Sequence, residues 1–397
     1  MPVPIVNFIK DLFLPELKFV KLMSSPQKRQ RIYLMEKVSD FEVCPKCATK
    51  AHTIYDHVIV TIRDTPLRNK NIILKIRKRR FLCKSCKKVF REPVQGIFKG
   101  FRTTQRYRHH VMWNCTQFSN LKRVATVTGC SEWLVYKCHY EQLELETRKL
   151  QSEWPTTVGI DEHSFQRKYG RKEFVTVFVD YNNRKVREVI LGRAPADILE
   201  SERILKIRSR ERVKNVVIDL SSGFKLAAAT LFPNAIITAD KFHVIKLIFP
   251  AIMKYKKEVV SNTRNRAFKR LLLKNGHKLK FHESQVLRAV LHFFPTLKDL
   301  YTAKEAIHSL YRCKGYNNAK RSFTKFTDWL AYSKIPELQT LRRTLIKWRE
   351  EILNYFKTRI TNARTEGFNR KAKLIQRNAY GFKNFDNYRL KILYSCR

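Results

Sequence analysis

Three acidic residues carry the strongest chemical signal in this chain: Asp161, Asp219 and Glu366. Asp161 closes the apolar run Val158-Gly159-Ile160 inside TTVGIDEHSF (156–165), and Asp219 closes a second run, VKNVVID (213–219). A carboxylate at the end of a buried strand is costly unless water or a metal compensates it. One such strand alone reads more simply as an apolar run entering an acidic turn. Here the pattern recurs, and Glu366 supplies a third acid on a helix expected over 361–377. Two strand-end aspartates and a helix-borne glutamate form the set that a two-metal phosphoryl-transfer site requires, with Mg²⁺ (or Mn²⁺) as the hard cation their oxygens suit. Glu162 and Asp180 are the nearest competing acids. Asp180 precedes a turn, where aspartate is common, and is read as turn chemistry.

The third acid can be tested by helical arithmetic. At about 100° per residue, Glu366, Asn369, Arg370, Lys373 and Arg377 share one face, and Phe368, Ala372, Ile375 and Ala379 take the other. The helix alone would also read as an exposed polar face with one acid among bases. Beside Asp161 and Asp219, the amide and the three cations suit gripping phosphates near bound metal.

A second constellation lies near the N-terminus. Cys44-Pro-Lys-Cys47 and Cys83-Lys-Ser-Cys86 are two CxxC pairs, each able to form a turn whose sulfurs converge. Together they supply the four thiolates of a tetrahedral zinc site, and strand-like runs between them (56–62 and 71–81) make a zinc ribbon the expected form. A thioredoxin-like role fits poorly, because neither pair opens a helix after a strand. The run KIRKRR (75–80), with Arg79 and Arg80, reads equally as a phosphate-contacting face and as a solvated basic edge strand. Cys115, Cys130 and Cys138 have no metal spacing and are expected to be core thiols.

Composition sets the partner. Among 397 residues, 81 Lys and Arg face 34 Asp and Glu, a net charge of +47. So large an excess points to a polyanion, nucleic acid before a membrane surface. No apolar run approaches the roughly 18 residues of a membrane span, and no export signal opens the chain. The nine cysteines are therefore expected to be reduced thiols in a cytoplasm.

Elements must position these groups. Residues 1–40 read as a short helix over PIVNFIKDLFL and a strand over 30–37. Residues 121–128, the turn Gly129-Cys130-Ser131 and residues 132–140 follow the order of a helix-turn-helix, with Ser131 as N-cap; an ordinary helical hairpin has the same pattern. From 156 the pattern turns mixed: strands over 157–161, 173–180 and 185–191, a helix over 196–212, a strand over 213–219, a helix over 223–231 and a strand over 235–239. Three meandering strands followed by helix, strand, helix and strand is the order of an RNase H-like domain. Residues 244–358 read as helical, with one helix over 336–356 striped by Leu338, Leu341, Leu345, Trp348, Ile352 and Tyr355. The fold expected is thus a multidomain α/β chain. It comprises an N-terminal segment (1–40), a zinc ribbon (41–95), a helix-turn-helix (100–150) and an RNase H-like catalytic domain (152–245 and 359–397) interrupted by an all-helical insertion (246–358).

These residues resemble a family, the bacterial insertion-sequence transposases of the ISL-three group, a DDE class of cut-and-paste enzyme. The likeness runs from about Cys44 to Leu393. CPKC, RRFLCKSCKKVFRE, GIDEHSF, VFVDYNNRKVREVILGR, VIDLSSGF, FPNAIITADKFHVIK and NARTEGFNRKAKLIQRNAYGFKNF carry it. The resemblance implies Asp161, Asp219 and Glu366 as the three acids in order, and it marks Asp240 and His243 as a supporting element after the second. It implies an enzyme that binds the terminal inverted repeats of an insertion sequence, cleaves DNA with two metal ions and joins 3′-hydroxyl ends to target DNA. Zn²⁺ in the ribbon, a homo-oligomer on DNA and a nucleoid-associated place in the bacterial cytoplasm go with it. Two other readings stand beside this one. A non-enzymatic zinc-ribbon regulator leaves the three acids unexplained, and an RNase H-like nuclease or resolvase keeps the chemistry without strand transfer.

Overall fold

A computed structural model of the chain describes residues 14–98, 100–118, 120–148, 153–259 and 266–397. The chain divides into two compact units, Met1–Glu144 and Leu145–Arg397. The helix expected over PIVNFIKDLFL lies, but for Leu14, outside the described residues.

In the first unit, Val, Ile and Tyr at alternating positions build a sheet of order β1-β2-β6-β5, with β7 added beside β6. The strands are β1 (Leu17–Met23), β2 (Gln30–Lys37), β5 (Ile54–Leu67), β6 (Lys70–Leu82) and β7 (Val89–Arg91), and a small hairpin pairs β3 (Glu42–Val43) with β4 (Lys50–Ala51). The long β5–β6 hairpin turns at Arg68-Asn69, both left-handed, as the twist of a two-residue hairpin demands. Met35, Ile62, Leu74 and Ile76 fill its core. Three helices follow, Gln105–Gln117, Leu121–Thr128 and Glu132–Arg148. Gly129 takes the left-handed conformation at the turn (φ 68), and Ser131 Oγ accepts from Leu134 N at 3.3 Å, as an N-cap does. Cys115 and Cys138 are buried in this helical core, and Cys130 packs against it.

The second unit is a mixed sheet of order β10-β9-β8-β11-β12. Strands β8 (Thr157–Lys168), β9 (Arg171–Asp180) and β10 (Lys185–Leu191) form an antiparallel meander, and β11 (Asn215–Ile218) and β12 (Ile236–Ala239) run parallel to β8. Period-two alternation splits its apolar residues between two cores. Val158, Ile160, Phe178 and Ile190 face a core continuous with the helices of residues 249–358, whereas Val175, Val177, Val179 and Val189 pack under the last two helices, Ala363–Asn378 and Phe385–Ser395.

Three boundaries differ from expectation. β8 does not end at Asp161 but continues to Lys168 against β9; its pairing with β11 stops two residues earlier, at Gly159. The helix expected over 196–212 is broken into Pro195–Leu199, Glu202–Leu205 and a 3-10 turn at Arg210–Arg212, with Ser201 extended and Ser209 left-handed. Burying Ile198, Ile204 and Ile207 together in the core directs this path. The 336–356 helix is two, Pro336–Lys347 and Arg349–Thr358, broken at Trp348 (φ −106°, ψ 17°). Its stripe from Leu338 to Tyr355 is buried throughout.

Candidate active site

Strand register brings the acids together. β8 and β11 are paired in parallel up to Gly159↔Val217, so two steps further place Asp161 level with Asp219. β11 and β12 are paired up to Ile218↔Ala239, so one further step places Asp240 level with Asp219 as well. Levels shared across parallel strands point side chains the same way. Asp161, Glu162 and Asp219 each offer a carboxylate oxygen within 4.8 Å of the others. Burial, joined by the charges of Asp219 and Glu162, pushes Asp161 up to about 6; burial and then the Glu162 charge push Asp219 to about 6. Asp219 Oδ1 is buried without a hydrogen-bond partner. Crowded anions with an orphaned oxygen, balanced only in part by Arg193 at 3.4 Å from Glu162, are the donor set of a hard divalent metal, and the residues fit Mg²⁺ or Mn²⁺.

Asp240 caps the Lys241–Lys246 helix, and its Oδ2 meets His243 Nδ1 at 2.9 Å, while its Oδ1 accepts from Asn362 N at 3.0 Å. The bond to Asp240, aided by the charges of Asp219 and Asp161, raises the His243 pKa, which favours an imidazolium beside the cluster.

The Ala363–Asn378 helix lies directly on β8. Asn369, buried at 5 % exposure, donates from Nδ2 to Asp161 Oδ2 at 2.9 Å. The hydroxyl of Tyr181 donates to Thr361 O at 2.9 Å, and its oxygen lies 3.0 Å from Thr365 Oγ1. Glu366 sits one turn before Asn369, but its carboxylate is half exposed and paired with Arg370 at 2.9 Å. The acidic cluster consists of Asp161, Glu162 and Asp219, without Glu366.

The four cysteines converge in the first unit. Cys44 and Cys47 stand in the β3–β4 hairpin, Cys83 and Cys86 in the β6–β7 hairpin. The two turns are alike: Cys44 N donates to Thr49 O and Cys83 N to Lys88 O, at 3.0 Å each, and the fourth residue after each first cysteine, Ala48 or Lys87, is left-handed. Sγ–Sγ separations are 3.6 Å for Cys44–Cys86 and 3.5 Å for Cys47–Cys83. A tetrahedron of thiolates about 2.3 Å from Zn²⁺ has edges of about 3.8 Å, so the cage fits that ion.

Family models match the stretches of chain that carry the two clusters. A transposase family model of the ISL3 DDE type matches residues 158–392, more than half of the chain. The chain belongs to the ISL3 family of DDE transposases. A second model, described as the zinc-finger of transposase IS204/IS1001/IS1096/IS1165, matches residues 40–86. The chain is similar to the transposase for insertion sequence element IS1001 of Bordetella parapertussis, 23% identical over 391 residues, covering 94% of this chain and 93% of that one. It is also similar to the transposase for insertion sequence element IS1557 of Mycobacterium tuberculosis, 22% identical over 256 residues and 57% of each. A protein of Lactococcus lactis described as an ATP-dependent protease is 33% identical over only 88 residues, 22% of this chain. So short a match carries no argument about the whole.

The remaining expected residues of this transposase divide into two groups. Arg370, Lys373 and Arg377 are exposed along one side of the Ala363–Asn378 helix, as helical spacing implies. Asn369 is not exposed with them but turned inward onto Asp161, a correction to its expected place among phosphate-gripping groups. Arg79 is likewise engaged within the protein, donating to Glu92 and to Ser39 O and Oγ, and Arg80 pairs with Asp56. Both are ribbon-internal ion pairs rather than free cations. Residues that sequence reasoning did not single out include Gly159, Tyr181, His163 and Tyr388. His163 is buried, and that burial pushes its pKa down to about 4, so it is neutral. Its only sequence signal was its place two residues after Asp161. No helix among the described residues is long and apolar enough to cross a membrane.

Proposed function

We propose that this transposase cleaves DNA at the ends of an insertion sequence and joins the freed 3′-hydroxyls to target DNA in one two-metal site. The observation that carries the reading is the level placement of Asp161 and Asp219 on neighbouring parallel strands, with Glu162 beside them and an orphaned Asp219 oxygen. The order of meander, helix, strand, helix and strand, interrupted by helices, supports an RNase H-like catalytic domain made of 152–245 and 359–397, with 246–358 inserted.

Asp161 and Asp219 would hold the cations, with Glu366 as the third carboxylate once freed from Arg370, whose guanidinium would then be available to a DNA phosphate. Two bound Mg²⁺ would supply an activated water or 3′-hydroxyl and charge stabilisation for an in-line displacement. His243, whose pKa the bond to Asp240 raises, would add positive potential where a phosphate approaches when it is protonated. Arg370, Lys373 and Arg377 hold the backbone, and the zinc ribbon (41–95) and helix-turn-helix (100–150) read the terminal repeats. The Glu132–Arg148 helix supports this role, since its first turns expose Trp133 and Tyr136, with Lys137 over the Trp133 ring. Two ends must be joined in one event, so the active form is a homo-oligomer on DNA.

The test is a terminal-repeat duplex in Mg²⁺. Wild-type protein should nick at the repeat and transfer pre-cleaved 3′-hydroxyl ends into a plasmid, and Asp219→Asn should bind without doing either. Nicking without transfer would reassign the chain to the nuclease reading. Binding without either activity in the wild type would leave the regulator.

A further inference from the structure

A continuous line of hydrogen bonds, buried up to its part-buried end at Asp161, connects the last helix of the chain to the candidate metal site. Tyr388 Oη lies 2.5 Å from His163 Nε2, His163 Nδ1 lies 3.0 Å from Asn369 Oδ1, and Asn369 Nδ2 lies 2.9 Å from Asp161 Oδ2. All three relay side chains are buried, at 0 % for Tyr388, 3 % for His163 and 5 % for Asn369. The rings of Phe165 (4.9 Å) and Phe382 (5.3 Å) close around Tyr388.

The chemistry of the four groups permits one assignment of the protons. An ionised Asp161 only accepts, so the amide nitrogen of Asn369 faces it. The Asn369 oxygen then faces His163 and can only accept, so the imidazole proton sits on Nδ1. Nε2 is left as an acceptor, and the Tyr388 hydroxyl donates to it. Each donor meets an acceptor along the line. Asp161 Oδ1 accepts separately from Glu162 N at 2.9 Å. Each carboxylate oxygen therefore keeps a free lone pair in a fixed direction.

We infer that Asn369 is a positioning residue for Asp161, its amide locked in orientation by His163 and Tyr388, and that this relay presets the carboxylate for metal. The inference rests on the metal reading of Asp161. Partners of ligand side chains of this kind typically govern metal affinity by about 10- to 100-fold. It also gives the Phe385–Ser395 helix a role: it supplies the far anchor of the line.

The experiment measures Mn²⁺ binding to the full-length protein without DNA, by electron paramagnetic resonance of free Mn²⁺, alongside thermal melting. Asn369→Ala should weaken Mn²⁺ binding about tenfold. Tyr388→Phe removes one oxygen and keeps the ring, so the protein should melt within a few degrees of wild type while binding Mn²⁺ about threefold more weakly. The double variant should bind no more weakly than Asn369→Ala alone, because the hydroxyl acts only through the amide. Equal affinity in wild type and Tyr388→Phe, or losses that multiply in the double variant, overturns the relay. A wild type that binds no Mn²⁺ overturns the metal reading itself, and the relay with it; a wild type that binds while the variants match it overturns the relay alone.

Discussion

Gly159 faces Thr365 where any side chain at residue 159 would keep the elements apart. A Cβ placed on Gly159 would overlap Thr365 Oγ1 and the ring of Tyr181. The helix that bears Glu366 and Asn369 can therefore lie against β8 only because residue 159 has no side chain.

Replacing Gly159 by Ala should push that helix off the strand. The expected cost is about 1–3 kcal/mol of stability, as for overpacking a dense core. Strand cleavage should fall far more than terminal-repeat binding, since the Asn369–Asp161 contact is broken. Thermal melting, nicking and gel-shift assays on one preparation check this; nicking at wild-type rate would show that the contact does not matter.

Asp161→Asn, Asp219→Asn and Glu366→Gln should each abolish nicking in Mg²⁺ and leave DNA binding intact. Any variant that nicks at a near wild-type rate removes its residue from the site.

The same carboxylates predict a pH dependence of stability. Asp161 and Asp219 are raised from 3.8 to about 6 in the folded protein, so the fold binds protons more tightly than the unfolded chain does. Their contribution to stability is fully present below 3.8 and is lost as pH rises through about 6. Metal-free wild type should thus lose thermal stability relative to Asp219→Asn between pH 5 and 7.5, and Mg²⁺ at pH 7.5 should restore it to the wild type alone. Parallel melting curves for the two proteins across that range contradict the assignment.

One Zn²⁺ per chain should accompany the purified protein, bound by Cys44, Cys47, Cys83 and Cys86. Metal binding energy is folding energy for so small a module, so a chelator or Cys83→Ser should unfold the ribbon. Elemental analysis and native alkylation test this together. Absence of zinc, with all four thiols freely alkylated, ends the claim.

Reading and gripping of DNA should separate. Trp133→Ala with Lys137→Ala should reduce the preference for terminal-repeat over scrambled duplex. Arg370→Ala with Lys373→Ala should weaken cleavage, leave the preferred sequence unchanged and lower the salt slope by roughly 0.9 per lost phosphate contact. Competition binding at two salt concentrations distinguishes them, and reversed effects would move sequence recognition into the catalytic half.

The sequence by itself determined the features that are local. Each CxxC makes its own knuckle within a hairpin, so four ligands were legible from two short motifs. The apolar runs leading into Asp161 and Asp219 and the helix of Glu366 were legible because apolar runs and the 3.6-residue period are written along the chain, whereas the continuation of β8 past Asp161 was not. What the acids face was decided only in three dimensions. Asp161 and Asp219 are level because β8 and β11 pair in one register, and a slip of one residue would have turned them to opposite faces. Glu162 enters the cluster at the edge where that pairing stops, which strand alternation does not foretell. Asn369 shares a helical face with Arg370 and Lys373 yet is turned inward, because a residue 208 positions earlier waits there to accept its hydrogen bond. Helical period assigns a residue to a face; only packing against a distant strand decides which part of that face meets solvent and which meets the site.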